Sequence, residues 1–231
     1  SSGQQSLRYG RAEDWFAGGC LLRPDGTEWR LPPLPASSAG PDLREIVLGS
    51  EGRFGVLTEA NVRVSPLPGH ESFHALFLPG WDAAEAAVRA LVQERLPLSM
   101  LRLSNGIETE TNLRLAGHER QIALLERYLG WRGCGQGKCL LTLGVTAAPA
   151  TARHALRAAR KLLARHGAVY IGPAMGSKWA ANRFKGPYLR NTLWELGYSV
   201  DTIETAVDWP QAKPLMLARE QAARDAFARF G

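Results

Sequence analysis

Long hydrophobic runs are absent from this 231-residue sequence, in which no apolar stretch approaches the roughly 20 residues that a membrane-spanning helix needs. Cysteine is scarce, with three in the chain, and no histidine or further cysteine pair stands at metal-ligand spacing around Cys134 and Cys139. We therefore expect no transmembrane segment, reduced thiols and no metal site. The first residues are small and polar and do not form a signal-peptide pattern, so we expect a cytoplasmic protein.

The composition is that of a folded globular protein, because hydrophobic residues make up 45% of the chain. A net charge of +6 would suit a polyanionic partner. The arginines, however, are scattered along alanine-rich helical segments, as at Arg153, Arg157, Arg160 and Arg165, and this favours a solvated helix face over nucleic-acid binding. We predict no nucleic-acid partner.

The spacing of three glycines is the most informative local pattern in the sequence. Gly49, Gly52 and Gly55 recur at every third position, between an apolar segment and an alternating run from Val56 that predicts a strand. Because glycine lacks a Cβ, such a loop can bring backbone N–H groups close to a flat or phosphorylated ligand. A tight connection between two strands is the alternative interpretation.

The rest of the chain is predicted as a hairpin followed by alternating strands and helices. Pro24-Asp25-Gly26 indicates the hairpin turn, and Asp42 is placed to cap a short helix over residues 43–48. After Pro66-Leu67-Pro68-Gly69 we expect strands at 72–78, 98–104, 138–146, 168–172 and 198–207, and helices at 82–95, 118–130, 150–166, 178–196 and from about 210.

Several ordered motifs resemble one enzyme family. These are Gly40-Pro41-Asp42-Leu43, the run Leu48-Gly49-Ser50-Glu51-Gly52 continued by Gly55-Val56-Leu57-Thr58-Glu59-Ala60, the closing Pro-Leu-Pro, and Gly197-Tyr198 with the following Val-Asp-Thr-x-Glu-Thr-Ala. Together they resemble FAD-linked oxidases of the vanillyl-alcohol-oxidase type, in the alkylglycerone-phosphate synthase (alkyl-dihydroxyacetone-phosphate synthase) branch. D-lactate and glycolate dehydrogenases are related to the same family.

The resemblance implies an α+β fold. Residues 1–68 would form the second, C-terminal part of an FAD-binding type 2 domain. Residues 69–231 would form a ferredoxin-like cap domain with an antiparallel sheet and flanking helices, rather than a doubly wound sheet. The family's pyrophosphate-binding loop and its later histidine and tyrosine motifs have no match here, so we expect an internal fragment with an incomplete cap.

The resemblance also implies that FAD is the cofactor and that two segments contact it. The first is the N-terminal Ser-Gly and Tyr-Gly segment, and the second is the glycine-rich turn, although Glu51 is equally compatible with an ordinary surface charge. The candidate cofactor-binding residues are Ser1, Ser2, Gly3, Tyr9, Gly10, Ser50, Glu51, Gly52, Arg53, Phe54, Gly55, Val56 and Leu57.

Three arginines are candidates for binding an anionic substrate group. Arg102 lies in an otherwise apolar predicted strand, so it needs a partner, and a structural salt bridge is the alternative to substrate binding. Arg183 and Arg190 belong to a basic, aromatic segment that would form part of a substrate entrance. The alternative there is a cap helix with Phe184, Tyr188 and Trp194 packed inward. No catalytic residue can be assigned.

The family resemblance implies an enzyme that exchanges the acyl chain of acyl-dihydroxyacetone phosphate for a fatty alcohol. A D-2-hydroxy-acid dehydrogenase of the same family is the first alternative. A non-catalytic ferredoxin-like module that binds RNA or a small regulator is the second, although the aromatics Phe73, Phe77 and Tyr170 are too dispersed along the strands to indicate an RNA platform. We expect a small-molecule or lipid-like substrate. Assembly into a homodimer is compatible with the sequence. The fragment alone should be inactive and should bind FAD weakly.

Overall fold

The computed structural model describes residues 3–35, 40–116, 119–184, 186–199 and 203–230. The chain divides into two compact units, residues 1–181 and 182–231, and each is described by itself. The boundary that we predict between residues 68 and 69 lies inside the first unit, between its two sheets. The division into an FAD-binding part and a cap at this point stays a prediction. None of the helices within the described ranges is long and apolar enough to cross a bilayer.

Strands and helices alternate along the chain, as expected for an α+β fold. The strands are β1 (Phe16–Leu22), β2 (Glu28–Leu31), β3 (Val56–Val62), β4 (Glu71–Leu78), β5 (Met100–Ser104), β6 (Cys139–Thr146) and β7 (Val169–Gly172). The helices are α1 (Ser6–Tyr9), α2 (Ala12–Trp15), α3 (Arg44–Val47), α4 (Trp81–Gln93), α5 (Gly106–Leu115), α6 (Glu119–Trp131), α7 (Pro149–Ala164), α8 (Ala174–Asn182), α9 (Gly186–Glu195) and α10 (Trp209–Phe230).

The smaller sheet has three antiparallel strands in the order β2-β1-β3. β1 and β2 form the predicted hairpin, whose turn is held by the Asp25 carboxylate accepting the Thr27 N–H at 2.9 Å. One side of the sheet packs against α3, while β3 is exposed along its whole length. The buried core of this sheet consists of Phe16, Leu21 and Leu31.

Arg44 fastens α3 to the smaller sheet. Its Nη1 donates to the backbone carbonyls of Ala17 at 3.2 Å and Leu34 at 3.0 Å, and its guanidinium also binds the Asp42 carboxylate. The hydrogen bonds from Arg44 lower the pKa of the Asp42 carboxyl to about 2. Asp42 also accepts the Arg44 backbone N–H at 3.0 Å, which is the first-turn contact predicted for it, although the helix begins at Arg44 and has Leu43 as its N-cap.

The larger sheet has four strands in the order β5-β6-β4-β7, and every neighbouring pair is antiparallel. The first strand along the chain, β4, therefore lies between the third and the fourth, which is the ferredoxin-like arrangement. This confirms the predicted antiparallel cap fold. Helices α4 and α7 follow β4 and β6 and pack together on one face.

The two faces of the larger sheet differ in character because successive side chains of a strand point to opposite sides. The face covered by α4 and α7 is mainly apolar, apart from His74 and Tyr170 towards β7, and it contains the stripe of α7 that was predicted to be core, including Ala155, Ala159 and Leu163. The opposite face, called the Arg102 face below, mixes apolar and polar side chains. On this face Arg102 of β5 and Ala75 of β4 both pair with Thr142 of β6, which lies between them.

Two predicted elements were wrong, and one helix was missed. Residues 178–196 form two helices, α8 and α9, because Gly186-Pro187 opens a new helix and proline is tolerated only in a first turn. Residues 198–199 and 203–207, the described part of the predicted strand 198–207, are irregular. Helix α5 was not predicted, since its polar, threonine-rich sequence has little apolar periodicity.

Helix α8 lies so close to β4 that glycine is required at the contact. A Cβ built on Gly176 would stand 2.3 Å from the backbone carbonyl carbon of Phe73, whereas a Cβ on Gly130, within α6, would meet nothing within 4 Å. Both glycines are helical, so alanine should stabilise either helix by up to about 1 kcal/mol if nothing interfered.

We predict opposite effects for the two glycine substitutions. Gly130→Ala should leave stability unchanged or raise it slightly, while Gly176→Ala should lower the free energy of unfolding by roughly 1–3 kcal/mol, because α8 must move off β4. Urea unfolding of both variants measures this. Equal midpoints for Gly176→Ala and Gly130→Ala would contradict the close packing of α8 on β4.

Candidate functional site

The glycine-rich turn is held by its own backbone. The N–H of Ser50 donates to Val47 O at 3.1 Å, that of Arg53 to Ser50 O at 3.0 Å, and that of Gly55 to Gly52 O at 3.2 Å. Gly52 has φ +81°. These contacts make a compact connection between α3 and β3.

Two glycines of the turn are required by local geometry rather than by a ligand. A Cβ on Gly55 would stand 2.4 Å from the carbonyl oxygen of Leu22 on β1, so a side chain there would disrupt the sheet. Gly52 needs its left-handed conformation but has open space around it, with the nearest atom, Gly55 O, at 4.0 Å. Folding therefore explains why glycine stands at these two positions. A ligand could approach the turn only on the open side of Gly52.

The turn presents donors and apolar surface to the outside. Within the described ranges, no acceptor is recorded for the backbone N–H groups of Glu51, Gly52 and Phe54. The side chains of Phe54 and Leu57 are exposed beside them, and so is Val56 at the start of β3. Unengaged amides next to an apolar wall can hold the polar edge and the ring face of a planar cofactor, so these residues fit a flavin.

The N-terminal segment lies against the larger sheet. Of the residues predicted to contact the cofactor there, Ser1 and Ser2 lie outside the described residues. Helix α1 contacts β5, and Gln5 Nε2 donates to Glu71 Oε1 at 2.9 Å on β4. The carbonyl of Tyr9 accepts the Trp15 indole N–H, and Gly10 follows with φ +77°.

The structure brings the N-terminal segment to β5, the strand that carries Arg102, but not to the glycine-rich turn. The Tyr9 contact is made at the start of β1, next to Phe16, while the turn joins the far end, where Leu22 pairs with Val56. Strand β1 spans roughly 20 Å at about 3.3 Å per residue. A ligand that touched both segments would have to extend along β1.

Arg102 has a carboxylate partner on the Arg102 face. Its Nη2 lies 2.6 Å from Glu108 Oε1, and the two side chains are 39% and 42% exposed. Glu108 is positioned by α5, because Asn105 caps this helix by accepting the Glu108 N–H at 2.9 Å. The salt bridge that was the alternative for Arg102 is therefore present, but it uses one of five guanidinium donors and leaves the group accessible.

Glu108 was missed by the sequence reasoning. Its signal was Asn105-x-x-Glu108, the spacing of a helix N-cap with an acidic residue three positions later. Thr142, which stands beside Arg102 in the sheet register, carried no such signal, because only strand pairing places it there.

The basic segment belongs to the second unit. The Arg183 guanidinium lies 5.0 Å from the ring centroid of Phe184, and Arg190 lines a shallow cavity of about 370 Å³ with Trp194 and Tyr198. Phe184 and Trp194 are exposed, so the interpretation that they pack inward was wrong. The Tyr188 side chain lies outside the described residues.

The Arg102 face of the larger sheet does not suit RNA binding. Stacking of bases needs exposed aromatic rings on neighbouring strands. Phe73 and Phe77 are both buried, the first against Trp179 of α8 and the second in the cluster with Leu113 of α5 and Leu129 of α6. Neither ring is available for stacking.

Comparison with known proteins gives a consistent result. Residues 67–230 match the family model described as FAD linked oxidases, C-terminal domain. An alkyldihydroxyacetonephosphate synthase from Dictyostelium discoideum is 28% identical over 222 residues, which is 93% of this chain and 36% of the relative. A D-lactate dehydrogenase (cytochrome) from Saccharomyces cerevisiae is 31% identical over 103 residues, covering 44% of this chain and 18% of that protein.

A solved structure shares the fold. A crystal structure of an alkyldihydroxyacetonephosphate synthase superposes with a TM-score of 0.76 at 26% identity, covering 96% of this chain and 41% of that one. The chain therefore spans well under half the length of these relatives.

We predict that Arg102 contributes little to stability. Because the ion pair with Glu108 is partly exposed, Arg102→Met should lower the free energy of unfolding by no more than about 1 kcal/mol. The matched control is Arg114→Met, which removes the 2.6 Å pair with Glu110 on α5. A loss of several kcal/mol confined to Arg102→Met in urea unfolding would assign Arg102 to structure rather than to ligand binding.

Proposed function

The chain belongs to the FAD-linked oxidases, through the C-terminal domain of that family, and on this premise we propose that it forms the flavin-facing edge and the substrate cap of an enzyme resembling alkyldihydroxyacetonephosphate synthase. The proposed reaction exchanges the acyl chain of acyl-dihydroxyacetone phosphate for a fatty alcohol. The observation that carries the proposal is the exposed turn at residues 50–57, where three backbone donors stand beside apolar side chains.

The role proposed for the turn is to bind and orient FAD. The amides of Glu51, Gly52 and Phe54 would donate to polar atoms of the cofactor, and Phe54 and Leu57 would cover its apolar surface. The flavin, when bound, supplies the reactive ring system. Gly3, Tyr9 and Gly10 would contact a different part of the cofactor, at the start of β1, and Ser1 and Ser2 are proposed with them. Ser50, Arg53, Gly55 and Val56 complete the proposed turn contacts.

The exposed strand β3 supports this arrangement. Side chains of Val56 and Val62, and Val64 just beyond the strand, are exposed although they are apolar. Apolar side chains along an edge strand are normally covered, because exposed apolar edges invite association. In the proposal, FAD and the further length seen in the relatives provide the cover.

Arg102 is proposed to hold an anionic group of the substrate. Its strand, β5, contacts α1, and Glu108 fixes one side of its guanidinium. A guanidinium oriented in this way can donate to a phosphate or carboxylate with its remaining N–H groups. Arg183 and Arg190 of the second unit are proposed to attract the same kind of group at the substrate entrance, and the aromatic lining around Arg190 suits a ligand with an apolar part.

A D-2-hydroxy-acid dehydrogenase is the second candidate, favoured by the likeness to D-lactate dehydrogenase over 103 residues. An arginine such as Arg102 would then bind the substrate carboxylate. The two functions predict different results for the full-length flavoprotein. We expect incubation with acyl-dihydroxyacetone phosphate and a fatty alcohol to yield an ether lipid, and D-lactate to leave the flavin absorbance unchanged. Bleaching of the flavin by D-lactate, without ether-lipid formation, would replace the first proposal by the second.

The contact between FAD and the turn can be tested with two glycines of the same conformation. Gly52 has φ +81° and Gly26, in the β1–β2 turn, has φ +80°, and neither has an atom closer than 4.0 Å to a built Cβ. Alanine at either position adds the same backbone strain, roughly 1 kcal/mol. A methyl group at Gly52, however, would also stand between the turn and the cofactor.

We predict that Gly52→Ala weakens FAD binding by the full-length protein at least tenfold, while Gly26→Ala leaves it within about twofold of the wild type. Flavin fluorescence titration of the apoprotein measures both affinities, and urea unfolding verifies that the two variants lose similar stability. Equal FAD affinity in the two variants would refute the turn as a flavin contact.

A further inference from the structure

A basic groove, separate from the residues assigned to flavin and substrate, lies along the outer edge of the larger sheet. It is an open groove between the C-terminal end of α6, α7 and the edge strand β7, with a volume of about 620 Å³, which is in the range of small-molecule sites. Its floor is formed by Leu76 and Ala168. The polar side chains that line it are Tyr128, Arg132, Arg157, Arg160, Lys161 and Tyr170.

The positive charge of the groove is not balanced by acidic residues. Arg132, Arg157, Arg160 and Lys161 form no ion pair with a carboxylate in the described ranges. The sequence has no aspartate or glutamate between Arg127 and Trp194. The last acidic residue before this stretch, Glu126 on α6, is engaged by Lys138 at 2.7 Å.

Aromatic rings, rather than carboxylates, hold the arginines in place. The Arg160 guanidinium lies 3.9 Å from the ring centroid of Tyr170, and Tyr170 is fixed by a 2.9 Å hydrogen bond between its hydroxyl and His74 Nδ1. His74 is held from its other side by the Ser72 hydroxyl at 3.0 Å. A guanidinium stacked on a ring keeps its N–H donors free for an anion.

The second wall of the groove is built in the same way. Arg132 Nη1 donates to the Tyr128 hydroxyl at 2.9 Å, and its guanidinium lies 5.8 Å from that ring's centroid. Cations thus face the groove from α6 and from α7. This is the arrangement that a multiply charged anion requires, because several charge-assisted hydrogen bonds can form at once.

His74, which holds Tyr170 beneath the groove, is disfavoured from taking up a proton. Desolvation by burial, followed by the nearby positive charge of Arg160, lowers the pKa of His74. The groove therefore owes its charge to arginine and lysine, and its affinity for an anion should not depend on histidine protonation near neutral pH.

We propose that this groove binds a phosphomonoester. A phosphomonoester is close to a dianion at neutral pH, with three oxygens that can each accept from arginine or lysine. The proposal does not depend on the proposed function, because the groove shares no residue with the glycine-rich turn or with Arg102.

The test uses the 231-residue chain at constant low ionic strength and two sources of the same group. Glycerol 3-phosphate supplies a free phosphomonoester, with glycerol as the neutral control. Vesicles of phosphatidylcholine containing phosphatidic acid supply it as a lipid headgroup, with pure phosphatidylcholine as the control. The variant Arg157→Gln with Arg160→Gln removes two charges from the groove, and Arg89→Gln with Arg95→Gln removes two charges from exposed positions on and just after α4.

We expect saturable binding of at least one of the two probes, weakened about tenfold or more in the groove variant and by less than twofold in the α4 control. Binding of glycerol 3-phosphate identifies a soluble ligand, and binding of the acidic vesicles alone identifies a lipid headgroup. Arg157→Gln alone, which leaves the Arg160 stack intact, should still weaken binding severalfold, so a folding defect in the double variant cannot decide the result.

The proposal is overturned if neither probe binds above its control, or if both double variants weaken binding equally, since general charge attraction would then account for it. Retention of single-stranded RNA that glycerol 3-phosphate does not displace, without binding of either probe, would also overturn it, because the groove would then serve a nucleic acid.

Discussion

The antiparallel pairing of β4 with β6 is the contact on which the larger sheet depends. The two strands pair over eight residues, from Glu71 with Thr146 to Leu78 with Cys139, and β5 and β7 attach on either side. Because side chains alternate along each strand, this register places leucines and valines under α4 and α7 and places Thr142 on the other face. The pairing of β5 with β6 then sets Arg102 beside Thr142, and a shift of β5 by one residue would turn Arg102 into the core beneath α4 and α7, where an unpaired guanidinium could not remain.

Much of the fold could be predicted from the sequence, because its signals are local. The β1–β2 hairpin follows from Pro24-Asp25-Gly26, and the core stripe of α7 from the spacing of its apolar residues. The misplaced elements have local causes as well, such as Gly186-Pro187, which begins a new helix inside the single helix predicted for residues 178–196. The pairing of Arg102 with Glu108 and the groove around Arg160 could not be predicted, since both depend on which strands become neighbours and on how a helix lies across an edge.

The glycine-rich turn shows how a ligand motif and a folding requirement can coincide. Gly55 is needed because the Leu22 carbonyl leaves no room for a side chain, so its presence would be expected without any cofactor. Gly52 is different, since its surroundings are open and the amides beside it have no described acceptor. The sequence could locate the turn and, through its family resemblance, suggest a flavin. Only the backbone geometry separates Gly55, where the sheet leaves no room for a side chain, from Gly52, whose left-handed conformation leaves an open side for a ligand.

The most direct test of the flavin-facing role of this turn is hydrogen–deuterium exchange of the full-length protein with and without FAD. We expect the amides of Glu51, Gly52 and Phe54, which have no acceptor in the described part of the chain, to exchange at least tenfold more slowly when FAD is bound. The hairpin turn at residues 24–27, which has no proposed ligand, should exchange at the same rate in both states. Unchanged exchange at residues 50–57 in a protein saturated with FAD would contradict the account.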